Sequence, residues 1–182
     1  MSKFFVVSDL HINHQASLKF EGRERFSSVE EMNQTIVNNW NKTVSPEDTV
    51  YNLGDCFLGE SIESQQILKS LGGHKILIRG NHDKKSDSWY HDAGFEEVHN
   101  GLYLPSPRQP GGLLHILTHM PLPYREIEAL ELSIGLIIHN WHGHVHACED
   151  RTFTGNDIWE HPEHYTNVCV ELTNYTPIDF PL

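Results

Sequence analysis

Residues 4–11 read Phe4-Phe5-Val6-Val7-Ser8-Asp9-Leu10-His11. A run that is apolar throughout, rather than alternating, predicts a strand covered on both faces. It stops at a carboxylate and an imidazole. The pattern recurs twice: Thr49 to Leu53 is stopped by Gly54-Asp55, and Lys75 to Ile78, apolar at Ile76 and Leu77, is stopped by Arg79-Gly80-Asn81-His82-Asp83. Between the first two strands, Ser27 or Ser28 can cap a helix whose Val29, Met32, Ile36, Val37 and Trp40 repeat at helical spacing and form its core face. A turn at Ser45-Pro46-Glu47-Asp48 follows it. A second helix is expected from about Ser61 to Leu71, ended by Gly72-Gly73. Strand, helix, strand, helix, strand in that order reads as parallel pairing. In open α/β sheets the ligand site lies beyond the carboxyl ends of the strands. Three polar motifs are thereby delivered to one sheet edge.

The second half is richer in strands. Leu102 to Leu104, Leu113 to Leu117, Gly135 to Ile138 and Asn167 to Leu172 are expected strands. Pro105 to Gly112 is an expected hairpin loop, and Tyr124 to Leu132 an expected short helix. Two more strands run into histidine loops, one at Thr118-His119-Met120-Pro121 and one at His139-Asn140-Trp141-His142-Gly143-His144-Val145-His146.

The chain has 182 residues, which fits a single domain over 1–182. Its 13 lysines and arginines against 25 acids give a net charge of −12, which repels a polynucleotide backbone over most of the surface. A small nucleotide or a nucleic-acid end at a local cationic centre stays open, and bound divalent metals would create such a centre. Cys56, Cys148 and Cys169 make no CxxC pair, and no secretory pattern opens the chain, so a reduced, cytoplasmic setting is expected. The apolar runs are shorter than a bilayer requires, so no membrane partner is expected. Oligomeric state is not readable. There are 14 histidines, more than lysine and arginine together, and several sit at strand ends.

Asp9-x-His11 and Gly54-Asp55 are weak signals alone. Asp9 and His11 are expected on one side of an extended segment, because side chains two apart share a face. Gly80-Asn81-His82-Asp83 offers an amide oxygen, an imidazole and a carboxylate in four residues. Gly143-His144-x-His146 is a chelating pair beside a glycine that admits close backbone approach. Mixed oxygen and nitrogen donors without thiolate suit manganese, iron, nickel or zinc, with manganese the first choice. The donors are too many for one ion; two ions about 3.5–4 Å apart would use them all.

Order and spacing of the five motifs resemble the calcineurin-like metallophosphoesterases across roughly residues 4 to 172. Glu31-Met32-Asn33 and Asn167-Val168-Cys169-Val170-Glu171 look like those of the compact phage- and bacteria-type members. The resemblance implies an α/β fold, a four-layer α/β/β/α sandwich of two mixed β-sheets with flanking helices. It implies that Asp9, His11 and His146 hold one metal, that Asn81, His119 and His144 hold the second, and that Asp55 bridges. His82 would protonate the leaving oxygen and Asp83 would orient its ring. Metal-activated hydroxide would attack a small phosphate-ester substrate, a phosphodiester of nucleotide type in the favoured reading. The alternatives are a phosphomonoesterase and a non-catalytic metal-binding scaffold. The presence of His82 and all seven ligands favours the enzyme.

His14 and Arg25 are candidate phosphate contacts; for Arg23 and Arg25 the competing reading is a solvated surface arginine. Arg79 is expected at a strand end facing away from the metals. His142 and Asn140 are expected to support the chelating pair or to pack, and Cys56 to pack. Trp141 has the best claim among the tryptophans to lie near a substrate.

Overall fold

The computed structural model describes residues 2–58, 62–106, 112–149 and 157–182. The expected helix start at Ser61 and the expected loop over 107–111 lie outside the described residues.

Strand β1 (Phe4–Val7) pairs in parallel with β2 (Thr49–Asn52), and β2 with β3 (His74–Ile78). The helices between them are α1 (Val29–Thr43) and α2 (Ile62–Ser70). Ser28 caps α1 by accepting from the Glu31 N–H, and the Glu31 carboxylate accepts in return from Ser27. The parallel order read from the sequence is thus present. Three further elements complete this half: α3 (Asp87–Asp92), β4 (Phe95–His99) and β9 (Ile178–Asp179). The first sheet runs β4-β3-β2-β1-β9, with β9 antiparallel.

The second sheet runs β5-β6-β7-β8 and is also mixed. It comprises β5 (Leu102–Ser106), β6 (Leu113–Leu117), β7 (Ile137–His142) and β8 (Tyr165–Asn167), with β5 antiparallel to β6. Helix α4 (Tyr124–Ile134) covers its outer face, and a short α5 (Asp157–Glu160) follows β7.

Strand alternation divides the core into three layers. Phe5, Val7, Val50 and Leu77 pack with Met32, Ile36 and Trp40 of α1 and Leu68 of α2. Val6, Tyr51, Leu53 and Ile78 face Leu117, Trp141 and Phe180 between the sheets. Ile116 and Ile138 face Ile127 of α4. Helix, sheet, sheet, helix is the four-layer α/β/β/α arrangement. No described helix is long and apolar enough to cross a membrane.

Three expected strands have bounds that differ by two residues or more, the first being β5, which runs on through Pro105 and Ser106 of the expected hairpin loop. β7 continues through His139 to His142 instead of ending at Ile138. Its polar side chains are tolerated because they are satisfied. Asn140 donates to Ile116 O at 3.0 Å and to Thr118 Oγ1 at 2.9 Å, and accepts from Leu122 N at 2.8 Å. Conversely, β8 stops at Asn167, and the rest of the expected Asn167–Leu172 strand crosses from one sheet to the other. Val168 N donates to His142 O in the second sheet, while Cys169 bridges Ser8 at the end of β1. Val168 therefore enters the inter-sheet core and Val170 the helix-side core.

Lys75 lies on the helix-facing side of β3 and is buried, its Nζ donating to Leu68 O at 3.1 Å and Leu71 O at 2.5 Å at the carboxyl end of α2. Burial pushes its ammonium down to about 8. An unfolded lysine titrates near ~10.4. Between those values the unfolded chain binds more protons, so this residue makes stability rise with pH across that window. The unfolding free energy of wild type minus that of Lys75→Met is therefore expected to increase from about pH 8 to about pH 10. Denaturant titrations at several pH values check it, and a difference independent of pH would show that Lys75 carries no such cost.

Candidate metal centre

Asp9 and His11 follow β1, Asp55 follows β2, Asn81 and His82 follow β3, His119 follows β6, and His144 and His146 follow β7. The structure brings all of them to one cavity edge. Asp9 Oδ1 lies 3.5 Å from His11 Nε2 and 3.6 Å from His146 Nε2. Asp55 Oδ2 lies 3.9 Å from His11 Nε2 and 3.4 Å from His119 Nε2. His119 Nε2 is 2.9 Å from Asn81 Oδ1 and 3.2 Å from His144 Nδ1.

The local backbone is not the extended one expected for Asp9-x-His11. Asp9, His11, Asp55, His144 and His146 all have left-handed φ, between 48° and 69°. Aspartate and histidine tolerate this region better than β-branched residues do, and such residues concentrate at functional sites. The two carboxylate–imidazole and imidazole–imidazole pairs share a side because both partners are kinked, not because the chain is straight.

Two glycines permit the approach of the loops. A Cβ on Gly143 would sit 2.0 Å from Ser8 Oγ and 2.2 Å from Asp9 Oδ2, and one on Gly80 would sit 2.1 Å from Asp55 Oδ1 and 2.5 Å from Asp55 N.

The donors suit a cation. Asp9 Oδ1 and His11 Nε2 are buried and lack hydrogen-bond partners, yet they face one another across a gap of metal-ligand size. Burial would push Asp9 up, but His11 and His146 hold its carboxyl far below the usual range. Burial likewise opposes ionisation of Asp55, and His119 reverses it. Burial pushes the His119 imidazole down, but Asp55 and Asp9 outweigh it and lift its pKa to about 9. Burial pushes the His11 and His144 imidazoles down, so His119 is the ring that the carboxylates favour charged. Asp9, His11 and Asp55 form one candidate ligand set and Asp9, His146 and Cys169 a second. The Cys169 thiol is raised by burial and donates to Asp9 Oδ2 at 3.2 Å, so it enters as a hydrogen-bond donor.

Other assignments change. Asp83 does not orient His82 as expected. Its Oδ2 accepts the N–H of Asp55 at 2.7 Å and of Gly80 at 2.9 Å, so it ties the β2 and β3 loops together. The Arg79 guanidinium, at the end of β3, donates to Asp83 O and Lys85 O at 2.7 and 2.8 Å and so braces the loop that carries His82. Arg23, weighed as a surface residue, is buried against Glu171. Arg25 is not brought into the cavity: it is exposed over Phe26 and Tyr175 and bonds Asn174. His14 faces the outer edge of the His11 ring, Nδ1 to Nδ1 at 3.3 Å, and burial pushes it down to about 4. Trp141 is core, its Nε1–H donating to His115 Nδ1 at 3.0 Å between the sheets. His142 and Cys56 are buried as expected.

Sequence reasoning gave no role to Ser8, Asn33 or Glu171. Ser8 Oγ donates to Asp9 Oδ2 at 2.6 Å. Asn33 Oδ1 accepts from Asn13 N at 3.2 Å and so steadies the loop after His11. Asn33 and Glu171 lie inside the two segments that carried the closer resemblance, which was the available signal.

The sequence profile of the calcineurin-like phosphoesterases matches residues 2–148. The chain belongs to that family. A calcineurin-like phosphoesterase is a metal-dependent phosphoric ester hydrolase, and the convergent donors are the candidate ligands for its metal. The uncharacterized protein MJ1445 of Methanocaldococcus jannaschii is 32% identical over 100% of this chain and 89% of its own length. The gene 66 protein of Mycobacterium phage L5 is 36% identical over 46% of this chain and 41% of its own. Among solved structures, the protein of unknown function AQ665 from Aquifex aeolicus superposes with a TM-score of 0.69 and 25% identity, covering 98% of this chain and 96% of that one.

Gly80→Ala and Gly143→Ala test the close approach directly. Each forces a methyl against backbone or ligand atoms that cannot yield, so each is expected to destabilise the fold by roughly 1–3 kcal/mol. Each is also expected to weaken Mn²⁺ binding. Melting curves and calorimetric metal titrations check both, and wild-type metal affinity in Gly143→Ala would show that Asp9 tolerates displacement.

Proposed function

We propose that this phosphoesterase uses two divalent transition ions to hydrolyse a phosphodiester of a small nucleotide-like substrate. Asp9, His11 and His146 would hold one ion and Asn81, His119 and His144 the other. The observation that carries the reading is the position of Asp55. One oxygen, Oδ2, faces both sets, at 3.9 Å from His11 Nε2 and 3.4 Å from His119 Nε2. When bound, such a pair supplies hydroxide at neutral pH and neutralises charge developing on phosphorus. The mixed carboxylate, amide and imidazole donors fit manganese, iron, nickel or zinc, and manganese remains the first choice.

His82 supports the acid role. Its side chain is 39% exposed and its Nε2 lies 3.9 Å from Asp55 Oδ2, so it stands at the open side of the donor cluster. From there it can reach a leaving oxygen and give up a proton. The backbone N–H of His82 donates to Asp55 Oδ1 at 2.9 Å, which fixes the proton donor to the carboxylate facing both donor sets.

Two features favour a small nucleotide-like ester. The metal-site cavity, about 630 Å³, adjoins a second of about 290 Å³ lined by Val145, His146, Trp159, Tyr165 and Leu172. His146 and Val145 belong to both walls, so a substrate with its phosphate at the metals can place a flat apolar group beside Trp159, which is 40% exposed. The charge of −12 opposes a long polyanion beyond about one Debye length, ~8–10 Å, while a small ester meets only the local centre. The scaffold alternative is disfavoured by the complete donor set and by His82.

Metal-stripped protein assayed with bis-p-nitrophenyl phosphate and p-nitrophenyl phosphate is expected to release nitrophenol only with added Mn²⁺, faster from the diester. Asp55→Asn abolishes it. His82→Ala loses little here, because nitrophenolate leaves easily, and about 10²–10⁴-fold on a nucleoside alkyl diester. Trp159→Ala raises KM for the nucleoside diester roughly tenfold and leaves the nitrophenyl diester unchanged. Two bound metals without turnover would favour the scaffold, and a faster monoester would favour a phosphomonoesterase.

A further inference from the structure

Glu171 and Arg23 form an ion pair that is fully buried, side-chain exposure 0% for both. Their sequence positions are remote, Arg23 between β1 and α1 and Glu171 past β8. A buried pair of this kind is weak evidence for stability, since well-packed apolar residues serve as well. Its hydrogen bonds are more specific than stability requires. Arg23 Nη2 donates to Asp9 O at 2.5 Å and Nη1 to Leu10 O at 3.3 Å. Glu171 Oε1 accepts from Arg23 Nε and lies 3.0 Å from His146 Nδ1. The pair thus holds the backbone of one donor residue and the ring of another, both with left-handed φ.

We infer that Glu171, anchored by Arg23, is the positioning residue for His146, fixing the tautomer that bares Nε2 toward Asp9. A carboxylate can only accept, so the proton between Glu171 and the ring sits on Nδ1. In the neutral ring Nε2 then carries the lone pair, and it lies 3.6 Å from Asp9 Oδ1. A carboxylate on the far nitrogen also fixes ring orientation and raises the basicity of the ligating one. His119 in the other donor set is fixed differently, by Nδ1 donating to Leu53 O at 2.8 Å. Loss of Glu171 therefore acts on the Asp9–His11–His146 set and spares the Asn81–His119–His144 set. The metal-binding consequence rests on the two-metal reading above; the tautomer does not.

The test begins with the metal-free full-length chain at pH 8. Long-range ¹H–¹⁵N spectra, with the His146 signals assigned through His146→Gln, are expected to show the proton on Nδ1. Glu171→Ala is expected to mix the two tautomers, and Glu171→Gln, which keeps an acceptor oxygen, to preserve the Nδ1–H form. Calorimetric titration with Mn²⁺ is expected to show one of two binding events weakened about 10–100-fold in Glu171→Ala and the other unchanged. Should Glu171→Ala fail to fold because Arg23 is left without its counter-charge, Arg23→Leu/Glu171→Leu removes both charges and is read in the same way. Wild-type protein with the proton on Nε2 would overturn the inference outright. So would a folded Glu171→Ala or double variant with the wild-type tautomer and wild-type Mn²⁺ affinities. Wild type that binds one Mn²⁺ or none, with His146 protonated on Nδ1, would sink the two-metal reading and uphold this one.

Discussion

The structure depends on keeping one carboxylate, that of Asp9, ionised and fully out of water. An isolated buried carboxylate costs several kcal/mol, so the fold surrounds it with donors. Its Oδ2 accepts from Ser8 Oγ at 2.6 Å, His144 N at 2.9 Å and Cys169 Sγ at 3.2 Å. Those donors come from the residue that follows β1, from the loop after β7 in the other sheet, and from the segment that crosses between sheets. The hydrogen bonds that satisfy the charge therefore also fix how the two sheets meet. Oδ1 is left facing His11 and His146. Satisfying one oxygen completely and leaving the other to imidazoles makes this oxygen a candidate cation ligand in the interior.

The strands supply the rest of the precision. Each motif starts at the carboxyl end of a strand, and after β1, β2 and β7 the chain turns left-handed within a few residues. Residues forced into sparsely populated regions cost of order 1–3 kcal/mol each. Here the surroundings over-determine them: Asp9 N, His11 N and Ile12 N donate to Gly54 O, Asp55 O and Cys56 O, a ladder joining the β1 and β2 loops past the end of the sheet. The Asp83 carboxylate extends the same clamp to the β3 loop. Position is thus set by hydrogen bonds between the backbones of the loops together with the carboxylates that tie them.

This division explains what the sequence disclosed. Strand–motif junctions were legible because buried strands are apolar without interruption and stop at polar residues, as at Val7-Ser8-Asp9 and Ile78-Arg79-Gly80. The helix-facing stripe Val29, Met32, Ile36, Trp40 was legible for the same reason, through periodicity. β7 was truncated in the reading because Asn140 and His142 look like loop residues; only tertiary partners make them tolerable in a strand. The Asn167–Leu172 run looked like one strand because its apolar side chains feed two different cores in turn. β4 carries Glu96 and Glu97 and β9 has two residues, so neither has a pattern to detect. Arg23 and Asp83 were misplaced because their partners are backbone groups and a distant glutamate, which spacing does not encode.

The donor cluster is also graded in exposure, and the grading has chemical meaning. Asp9, His11, Asp55 and His119 are buried, whereas Asn81 and His82 are exposed. In the interior, water is excluded and electrostatic attraction between carboxylate and cation is strengthened. At the rim, an imidazole is open to solvent. A ring buried beside Asp9 has its charge governed by its neighbours, as burial lowers and Asp55 and Asp9 raise His119. The His82 ring lies 3.9 Å from Asp55 Oδ2, while its backbone N–H carries the link that holds it in place. Anchoring a residue by its main chain leaves its side chain at the open rim. The β3 loop achieves this because Gly80, Asp83 and Arg79 take over the structural duties that would otherwise fall on the His82 ring.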